Sequence, residues 1–354
     1  MLDKKSLDFL EKFVNTPSPS GFERPAQEVW RAYVSEFADR VDSDVQGNAV
    51  GVLNERGKPR VMLIGHCDEV GFMVRYINDQ GFIYFGMIGG VDASIVPAKR
   101  VIISTEKGPV KGVVGRIAIH LQDRDDEKKP TKMHDLWIDI GAKNKEEALQ
   151  RVAIGDPIVF DMGYDVLHDD LAVARGFDDK MGAFVVAEAL KMLSGDKGLK
   201  AGVYGVSSVQ EEISFAGAST SAYRIDPQVA IAVDVGSATD TPGVSKEKHG
   251  EVKLGLGPVI DRGSSVSPRV EEALMKVARD NGIPFQIAAS PRWTGTDADA
   301  VFKSRAGVAC GLLSVPNRYM HTPVEVIHLG DLENCAKLMA AFVRQTDDKA
   351  DFRR

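Results

Sequence analysis

The segment RVMLIGHCDE, residues 60–69, decides the fold class, because an apolar run typical of a buried strand ends abruptly in polar residues. The later runs AGVYGVSSV, VAIAVDVG and VACGLLSV have the same character, and helical patterns such as PRVEEALMKVARDNG lie between them. Strands that alternate with helices are typical of a largely parallel sheet covered by helices on both faces. The sequence therefore predicts an α/β fold.

The pattern changes between about Gly71 and Gly163, where β-branched residues and glycines are frequent and only NKEEALQRV predicts a helix. Within this part, GFMVRYINDQGFIYFGMI predicts two strands joined by a turn at residues 78–81, and RVIIST, GPVKGVVGRIAI and DPIVF predict further strands. The charged segment QDRDDEKKPTKM predicts a solvated loop, with an assembly contact as the alternative. We therefore predict one α/β domain, residues 1–69 and 166–354, with an inserted β-rich domain of residues 70–165.

The composition narrows the class of protein. The 354-residue chain has a net charge of -7 and 44% hydrophobic residues, so nucleic acid is not expected as a partner, since phosphate binding requires clustered cations. The longest apolar runs are too short to span a bilayer, and the first residues lack the apolar core of a secretion signal. Three cysteines without a pairing pattern, Cys67, Cys310 and Cys335, indicate reduced thiols and predict a cytoplasmic location.

Five predicted strand ends each carry a residue that can bind a metal ion. In open α/β sheets, ligands bind outside the carboxyl ends of the strands. Two divalent cations ~3.5–4 Å apart require a bridging carboxylate, terminal carboxylates and imidazoles. The residues that supply this mixture are His66, Asp178, Glu212, Asp234 and His321. Imidazole with carboxylate predicts two zinc ions per chain, with cobalt and manganese as alternatives.

Two further carboxylates lie beside these predicted ligands. Asp68 follows His66 by two residues on the same strand face, so it can hydrogen-bond the ring nitrogen that does not bind the metal. Glu211 and Glu212 are adjacent, and neighbouring side chains on a strand point to opposite faces. With Glu212 as the ligand, Glu211 is left as a general base beside a metal-bound water and later as an acid for the leaving amine.

Other polar residues have simpler explanations. Asp179 is predicted to cap a helix, and Cys67 is predicted to be a small buried residue of a strand. The segment GTDAD, residues 295–299, fits a helix cap and a substrate pocket equally well. Ordinary surface or core histidines are predicted at His120, His134, His168, His249 and His328.

Seven segments give the chain a family resemblance. They are GHCDEVGFMV, IGGVDASIVPAKRV, ARGFDDKMGAF, VQEEISFAGA, AVDVG, GTDADAV and RYMHTPVEV. In this order and over nearly the whole chain, they resemble the tetrahedral aminopeptidases of metallopeptidase family 42. That family includes glutamyl, leucyl, lysyl and deblocking aminopeptidases, and some proteins similar to it are labelled endoglucanases.

The resemblance implies a role for each residue. One metal would be bound by His66, Asp178 and Asp234, and Asp178 would bridge to a second metal. The second metal would also be bound by Glu212 and His321. Glu211 looks like the general base, and Asp68 like the orienting catalytic acid. The resemblance also implies a two-metal exopeptidase fold with a β-barrel-like dimerisation insert, short peptide substrates, and a tetrahedral dodecamer built from dimers.

The leading prediction for function is hydrolysis of the N-terminal residue of short peptides by a metal-bound hydroxide, with Glu211 moving the proton. One alternative is a glycoside hydrolase, but this class needs two carboxyls about 5–9.5 Å apart and leaves the histidines unexplained. The other alternative is a non-catalytic assembly protein stabilised by metals. The sequence predicts no preference among acidic, neutral and basic N-terminal residues.

Overall fold

The computed structural model describes residues 2–122 and 130–353, so most of the predicted charged loop, residues 123–129, lies outside the described residues. The helices are α1 (Lys4–Asn15), α2 (Arg24–Val34), α3 (Lys145–Arg151), α4 (Phe177–Leu193), α5 (Glu211–Ser214), α6 (Ala216–Ile225), α7 (Lys246–His249), α8 (Pro268–Asp280), α9 (Ala298–Val301) and α10 (Leu329–Gln345). The strands are β1 (Arg40–Ser43), β2 (Ala49–Leu53), β3 (Arg60–His66), β4 (Gly71–Ile77), β5 (Ile83–Ile88), β6 (Arg100–Thr105), β7 (Gly108–Gly115), β8 (Trp137–Asp139), β9 (Pro157–Phe160), β10 (Asp165–Val166), β11 (Leu171–Ala174), β12 (Gly202–Ser208), β13 (Val229–Ser237), β14 (Val259–Gly263), β15 (Gln286–Ser290), β16 (Ala309–Asn317) and β17 (Glu325–His328).

The main sheet has the strand order β1-β2-β12-β3-β13-β16-β14-β15. Its centre, β12-β3-β13-β16, is parallel throughout. The edges add antiparallel pairs, because β2 runs against both β1 and β12, and β14 runs against β16. The carboxyl ends of the four central strands therefore meet at one edge of the sheet, as the alternation of strands and helices predicts.

Both faces of the main sheet are buried, which explains the continuous apolar runs of its strands. In β3, Val61 and Leu63 belong to the apolar core on one face, while Met62 and Ile64 belong to the core on the other. Helices α4 and α10 pack against each other on the first face, and α6 and α9 cover the second face. Each fully buried aliphatic side chain contributes about 1.5–3 kcal/mol to stability.

The inserted part forms a closed barrel with the strand order β4-β5-β8-β7-β6-β9. Its core contains Phe72, which meets Phe85 and Phe160 edge to face at centroid distances of 5.2 and 5.3 Å. The predicted hairpin is present as β4 and β5. Together the sheet and the barrel confirm the predicted fold class.

Two local predictions differ from the structure, and one helix was not predicted. Strand β7 ends at Gly115 rather than continuing to Ile119, which starts a short 3-10 helix instead. Helix α9 is a single turn, shorter than the segment DADAVFKS that predicts it. Helix α6 was not predicted, because its small and polar residues carry little apolar periodicity. Among the described residues, no helix combines the length and apolar character that crossing a bilayer requires.

Candidate metal centre

Four of the five predicted ligands reach one place because they follow neighbouring strands of the main sheet, β12, β3, β13 and β16. His66 ends β3, and Asp234 lies near the end of β13, the strand beside it. Glu212 lies in the short helix α5 that follows β12. Asp178 was predicted at a strand end of the same sheet, but β11 before it belongs to a separate three-stranded sheet, and Asp178 lies at the start of α4. His321 follows β16. All five side chains lie at the carboxyl edge of the parallel centre, where ligands of open α/β sheets bind.

The first donor group contains His66, Asp178 and Asp234, all of them buried. Nε2 of His66 lies 3.4 Å from Oδ1 of Asp178 and 3.9 Å from Oδ1 of Asp234. One donor atom from each residue lies within 4.8 Å of the others. This spacing allows one cation to contact all three side chains.

The second donor group contains Asp178, Glu212 and His321, again with donor atoms within 4.8 Å of one another. Nε2 of His321 lies 3.1 Å from Oδ2 of Asp178 and 3.5 Å from Oε2 of Glu212. Asp178 thus presents Oδ1 to His66 and Oδ2 to His321. This is the geometry that a bridging carboxylate requires.

Both imidazole rings are oriented with Nε2 toward the carboxylates. Nδ1 of His321 lies 2.7 Å from the carbonyl oxygen of Gly90, and Nδ1 of His66 lies 3.1 Å from the carbonyl oxygen of Asp68. A carbonyl oxygen can only accept a hydrogen bond, so each Nδ1 carries the proton and donates it. Nε2 of each ring is therefore the nitrogen available to a metal.

Asp68 contacts His66 differently from the prediction. Its main-chain oxygen is the nearest acceptor for the ring, and its carboxylate Oδ1 is farther away, at 3.4 Å. The carboxylate accepts hydrogen bonds from the main-chain N–H groups of Glu211 and Glu212, each at 3.1 Å. Asp68 is fully buried, and through these hydrogen bonds it orients the first turn of α5 as well as the imidazole.

Glu211 lies beside the donor groups without belonging to either of them. Its Oε2 is 3.7 Å from Nε2 of His66, and the side chain lines the cavity at the sheet edge. Burial is the main cause that raises the pKa of Glu211 to about 10. The nearby His66 ring lowers this pKa, whereas neighbouring carboxylates such as Asp234 raise it further. Buried carboxylates in such a group repel one another unless cations lie between them.

The donor set fits divalent cations. Oε1 of Glu212 is a buried oxygen that has no hydrogen-bond partner. In the described part of the chain, no Lys or Arg forms an ion pair with any of the five predicted ligands. A pair of imidazoles with three carboxylates matches the ligands that zinc, cobalt and manganese accept.

Glu325 is a buried carboxylate of the site that the sequence reasoning missed. Its Oε2 accepts a hydrogen bond from the main-chain N–H of Asp178 at 2.9 Å, and its Oε1 accepts one from the N–H of His321 at 2.8 Å. It therefore fixes the bridging residue and a ligand of the second group relative to each other. Its position in RYMHTPVEV, four residues after His321, is the only signal for it in the sequence.

The residues with simpler predicted roles also have defined places. Asp179 accepts hydrogen bonds from the N–H groups of Gly182 and His66, so its predicted capping role is confirmed. Cys67 is fully buried and lies just after β3. Of the predicted ordinary histidines, His328 caps α10, and the exposed His249 lies in the lining of the cavity.

A cavity of about 520 Å³ opens beside the two donor groups. In the segment at residues 295–299, Gly295 and Thr296 line the cavity. Asp297 directly precedes α9, but its side chain makes no capping hydrogen bond; the N–H of Ala298 donates to the hydroxyl of Thr296 instead. Asp297 accepts a hydrogen bond from Ser208 at 2.5 Å. The lining also includes Val235, Gly236, Ser237, Val252, Val259, Asp261, Ala288, Ser290, Leu312, Ser314 and Met320.

Comparison with known proteins identifies the family. A model of the M42 glutamyl aminopeptidase family matches residues 47–338. The lysyl aminopeptidase of Pyrococcus furiosus is 33% identical over 341 residues, which cover 96% of this chain and 96% of that protein. The TET aminopeptidase of Thaumarchaeota archaeon SCGC AB-539-E09 has a TM-score of 0.92 and 32% identity, over 98% of this chain and 97% of that chain.

Another solved structure is that of the TET1 peptidase of Pyrococcus horikoshii, which can assemble into a tetrahedron or a large octahedral shell. It has a TM-score of 0.86 and 35% identity, over 96% of this chain and 100% of that chain.

The resemblance in the sequence is thus confirmed, and the alternative of a non-catalytic assembly protein is wrong. M42 peptidases are metal-dependent, in agreement with the two donor groups. The chain therefore belongs to the M42 peptidase family and is an aminopeptidase.

Proposed function

We propose that this enzyme removes the N-terminal residue from short peptides with the help of two divalent cations, zinc being the first candidate. The observation that carries the proposal is the position of Asp178, whose two carboxylate oxygens face His66 and His321 separately. A single-metal site does not require a carboxylate that faces both imidazoles.

The residues divide between the two cations as the sequence resemblance implies. His66 and Asp234 would hold one cation, Glu212 and His321 the other, and Asp178 both. When bound, the cations would polarise the scissile carbonyl and lower the pKa of the attacking water. The cavity beside them, about 520 Å³, has room for the first residue of a peptide.

Glu211 is proposed as the general base. Its carboxylate lies beside both donor groups and lines the cavity, so it can reach a water placed between the cations and a bound peptide. It would take a proton from that water and then donate it to the nitrogen of the leaving amine. The two adjacent glutamates would thereby perform different tasks, with Glu212 as the ligand.

Asp68 is proposed as a positioning residue. Its carboxylate holds the main chain of Glu211 and Glu212, and its carbonyl oxygen holds Nδ1 of His66. The predicted role of an orienting acid is retained in this form, although the orientation works through the carbonyl and the two amides. Glycoside hydrolysis would leave both imidazoles without a task, so the geometry favours peptide hydrolysis.

We also propose that the inserted domain, residues 70–165, forms the dimer contacts of a dodecamer in the cytoplasm. The support is a run of exposed apolar side chains after β7, namely Ile117, Ile119 and Leu121, with exposed fractions of 54%, 63% and 80%. Exposed apolar patches mark interaction surfaces. The reduced state that a cytoplasmic location requires agrees with three free, buried cysteines.

The experiment that tests the proposed function compares the purified protein with its Glu211→Gln variant. Both are loaded with zinc or cobalt and offered aminoacyl-p-nitroanilides and short peptides with a free N-terminus. The variant should keep both metals and lose about 10²–10⁴-fold in kcat, the usual value of a general base. Glu272→Gln, on the exposed face of α8, is the matched control. No cleavage by the metal-loaded parent, or normal turnover by the Glu211 variant, would contradict the proposal.

A further inference from the structure

The floor of the cavity is one face of the main sheet. Asp234 of β13 pairs with Ser314 of β16, and Ser314 pairs with Val259 of β14. Paired residues of neighbouring strands point to the same face, and so do residues two apart on one strand. Asp261, two residues beyond Val259, therefore shares this face with the proposed metal ligand Asp234.

Asp261 is a buried carboxylate that lines the cavity, with an exposed fraction of 6%. Ser314 donates a hydrogen bond to its Oδ2 at 2.5 Å, and within the described residues Oδ1 accepts none. Burial raises the pKa of Asp261 to about 6, and the hydrogen bond from Ser314 acts in the opposite direction. A carboxylate that lines a cavity and has one oxygen without a protein partner can accept a hydrogen bond from a cationic group of a ligand.

The charges around the cavity are strongly unbalanced. The described residues that line it include five carboxylates but no Lys or Arg, and only two histidines, His249 and His321. The neighbouring Arg262 forms an ion pair with Glu271 at 2.5 Å instead of with Asp261. Two divalent cations would offset the carboxylates of the metal centre, and Asp261 would keep its charge.

The distance between the metal centre and Asp261 suits a long substrate side chain. Two strand spacings, roughly 10 Å in all, separate β13 from β14. A substrate whose scissile bond lies at the metal centre can therefore extend its first side chain along the sheet floor toward Asp261. The apolar side chains Val259 and Leu312 line the path and suit the methylene stem of a lysine or arginine.

We propose that Asp261 is the residue that selects the N-terminal side chain, and that it selects a cationic one, lysine or arginine. The inference rests on the proposed peptidase function and deepens it by naming the substrate class. The unpaired oxygen of Asp261 accepts a hydrogen bond from the ammonium or guanidinium group, and the apolar floor holds the stem. An acidic side chain in the same place meets an uncompensated negative charge and is rejected.

The test measures kcat/KM of the zinc-loaded protein for the p-nitroanilides of lysine, arginine, leucine and glutamate. The parent should prefer lysine and arginine, and Asp261→Asn should lower kcat/KM for these two on the order of 100-fold, because a buried charge partner is lost. For the leucine p-nitroanilide, Asp261→Asn should change kcat/KM less than about threefold. Asp280→Asn, an exposed carboxylate of α8, is the matched control and should change nothing.

A binding measurement separates recognition from catalysis. L-lysine should inhibit the parent competitively at lower concentration than L-norleucine, and Asp261→Asn should remove this difference. Asp261→Leu should shift the preference toward leucine. A parent that prefers leucine or glutamate, or an Asp261→Asn variant that keeps its preference for lysine, would overturn this inference alone. Failure to cleave any of the four substrates would overturn the proposed function as well.

Discussion

The carboxylate of Asp68 accepts a hydrogen bond from the main-chain N–H of Glu211, with Oδ1 and the nitrogen 3.1 Å apart. Its other oxygen accepts the N–H of Glu212 at the same distance. A buried carboxylate at the start of a short helix holds both N–H groups that would otherwise be unpaired there. One residue therefore sets the direction of the proposed base and of the proposed ligand.

Replacing Asp68 with Asn should impair catalysis. The amide oxygen can accept only one of the two N–H groups reliably, and the amide NH₂ faces the other, so α5 should shift. We expect kcat to fall about 10–100-fold with KM nearly unchanged, as for other residues that orient a metal site. Steady-state kinetics together with metal content measures this. A variant within twofold of the parent in kcat would show that the contact with Glu211 does not matter.

Glu325→Gln should weaken metal binding at the second donor group. Glu325 holds the N–H groups of Asp178 and His321, and the neutral amide cannot accept both. We expect the affinity for the second metal to fall about 10–100-fold, while the first metal is lost less readily. A calorimetric titration of zinc into the metal-free protein measures the affinity of each of the two sites. Equal loss at both sites would contradict the structural assignment.

The ion pair of Asp240 with Arg318 should make stability depend on pH. Arg318 donates two hydrogen bonds to Asp240, at 2.8 and 2.7 Å, close to the segment that carries His321. Burial alone raises the pKa of Asp240, but these bonds outweigh it and hold the pKa below its usual value. The pair therefore stabilises the fold fully above the unfolded-state pKa of about 3.9, and less as pH falls through the folded pKa.

Asp240→Asn should accordingly lower the free energy of unfolding by about 1 kcal/mol at pH 7. The difference in the free energy of unfolding between the parent and the variant should become smaller as the pH falls below about 4. Urea unfolding at several pH values between 7 and 3.5 provides the measurement. A difference that grows on acidification would contradict the sign of the linkage.

The exposed apolar run after β7 should be needed for assembly. Replacing Ile119 and Leu121 together with Asp puts two charges on a surface that we propose to be buried between chains. Light scattering after gel filtration should show a smaller particle than the parent. Val45→Asp, at another exposed apolar residue, is the matched control and should leave the particle unchanged. An unchanged particle for the double variant would exclude this surface from the assembly contacts.

The sequence allows much of the metal centre to be predicted, because parallel strands bring their carboxyl ends together whatever their order in the sheet. His66, Asp234 and His321 could be placed at a common edge from the apolar runs that precede them. Glu212 follows from the same rule, whereas Asp178 does not, because the strand before it, β11, belongs to the separate three-stranded sheet. The structure nevertheless brings all five residues into two overlapping groups.

What could not be predicted depends on strand order and on main-chain contacts. Glu325 lies on β17, in a small antiparallel sheet with β11, and acts through N–H groups that carry no sequence signal. Asp261 lies on β14, which runs against β16, so its closeness to Ser314 follows only from the observed pairing. The carboxylate of Asp68 was expected at His66, but it is engaged by two amides of α5.

The central claim is that Asp178 bridges two cations, and a crystal structure of the zinc-loaded protein tests it most directly. Anomalous scattering at the zinc edge should show two peaks about 3.5–4 Å apart. One peak should lie beside Nε2 of His66 and the other beside Nε2 of His321, with a different oxygen of Asp178 on each. A single peak at full zinc loading, or a second one away from His321, would contradict the account.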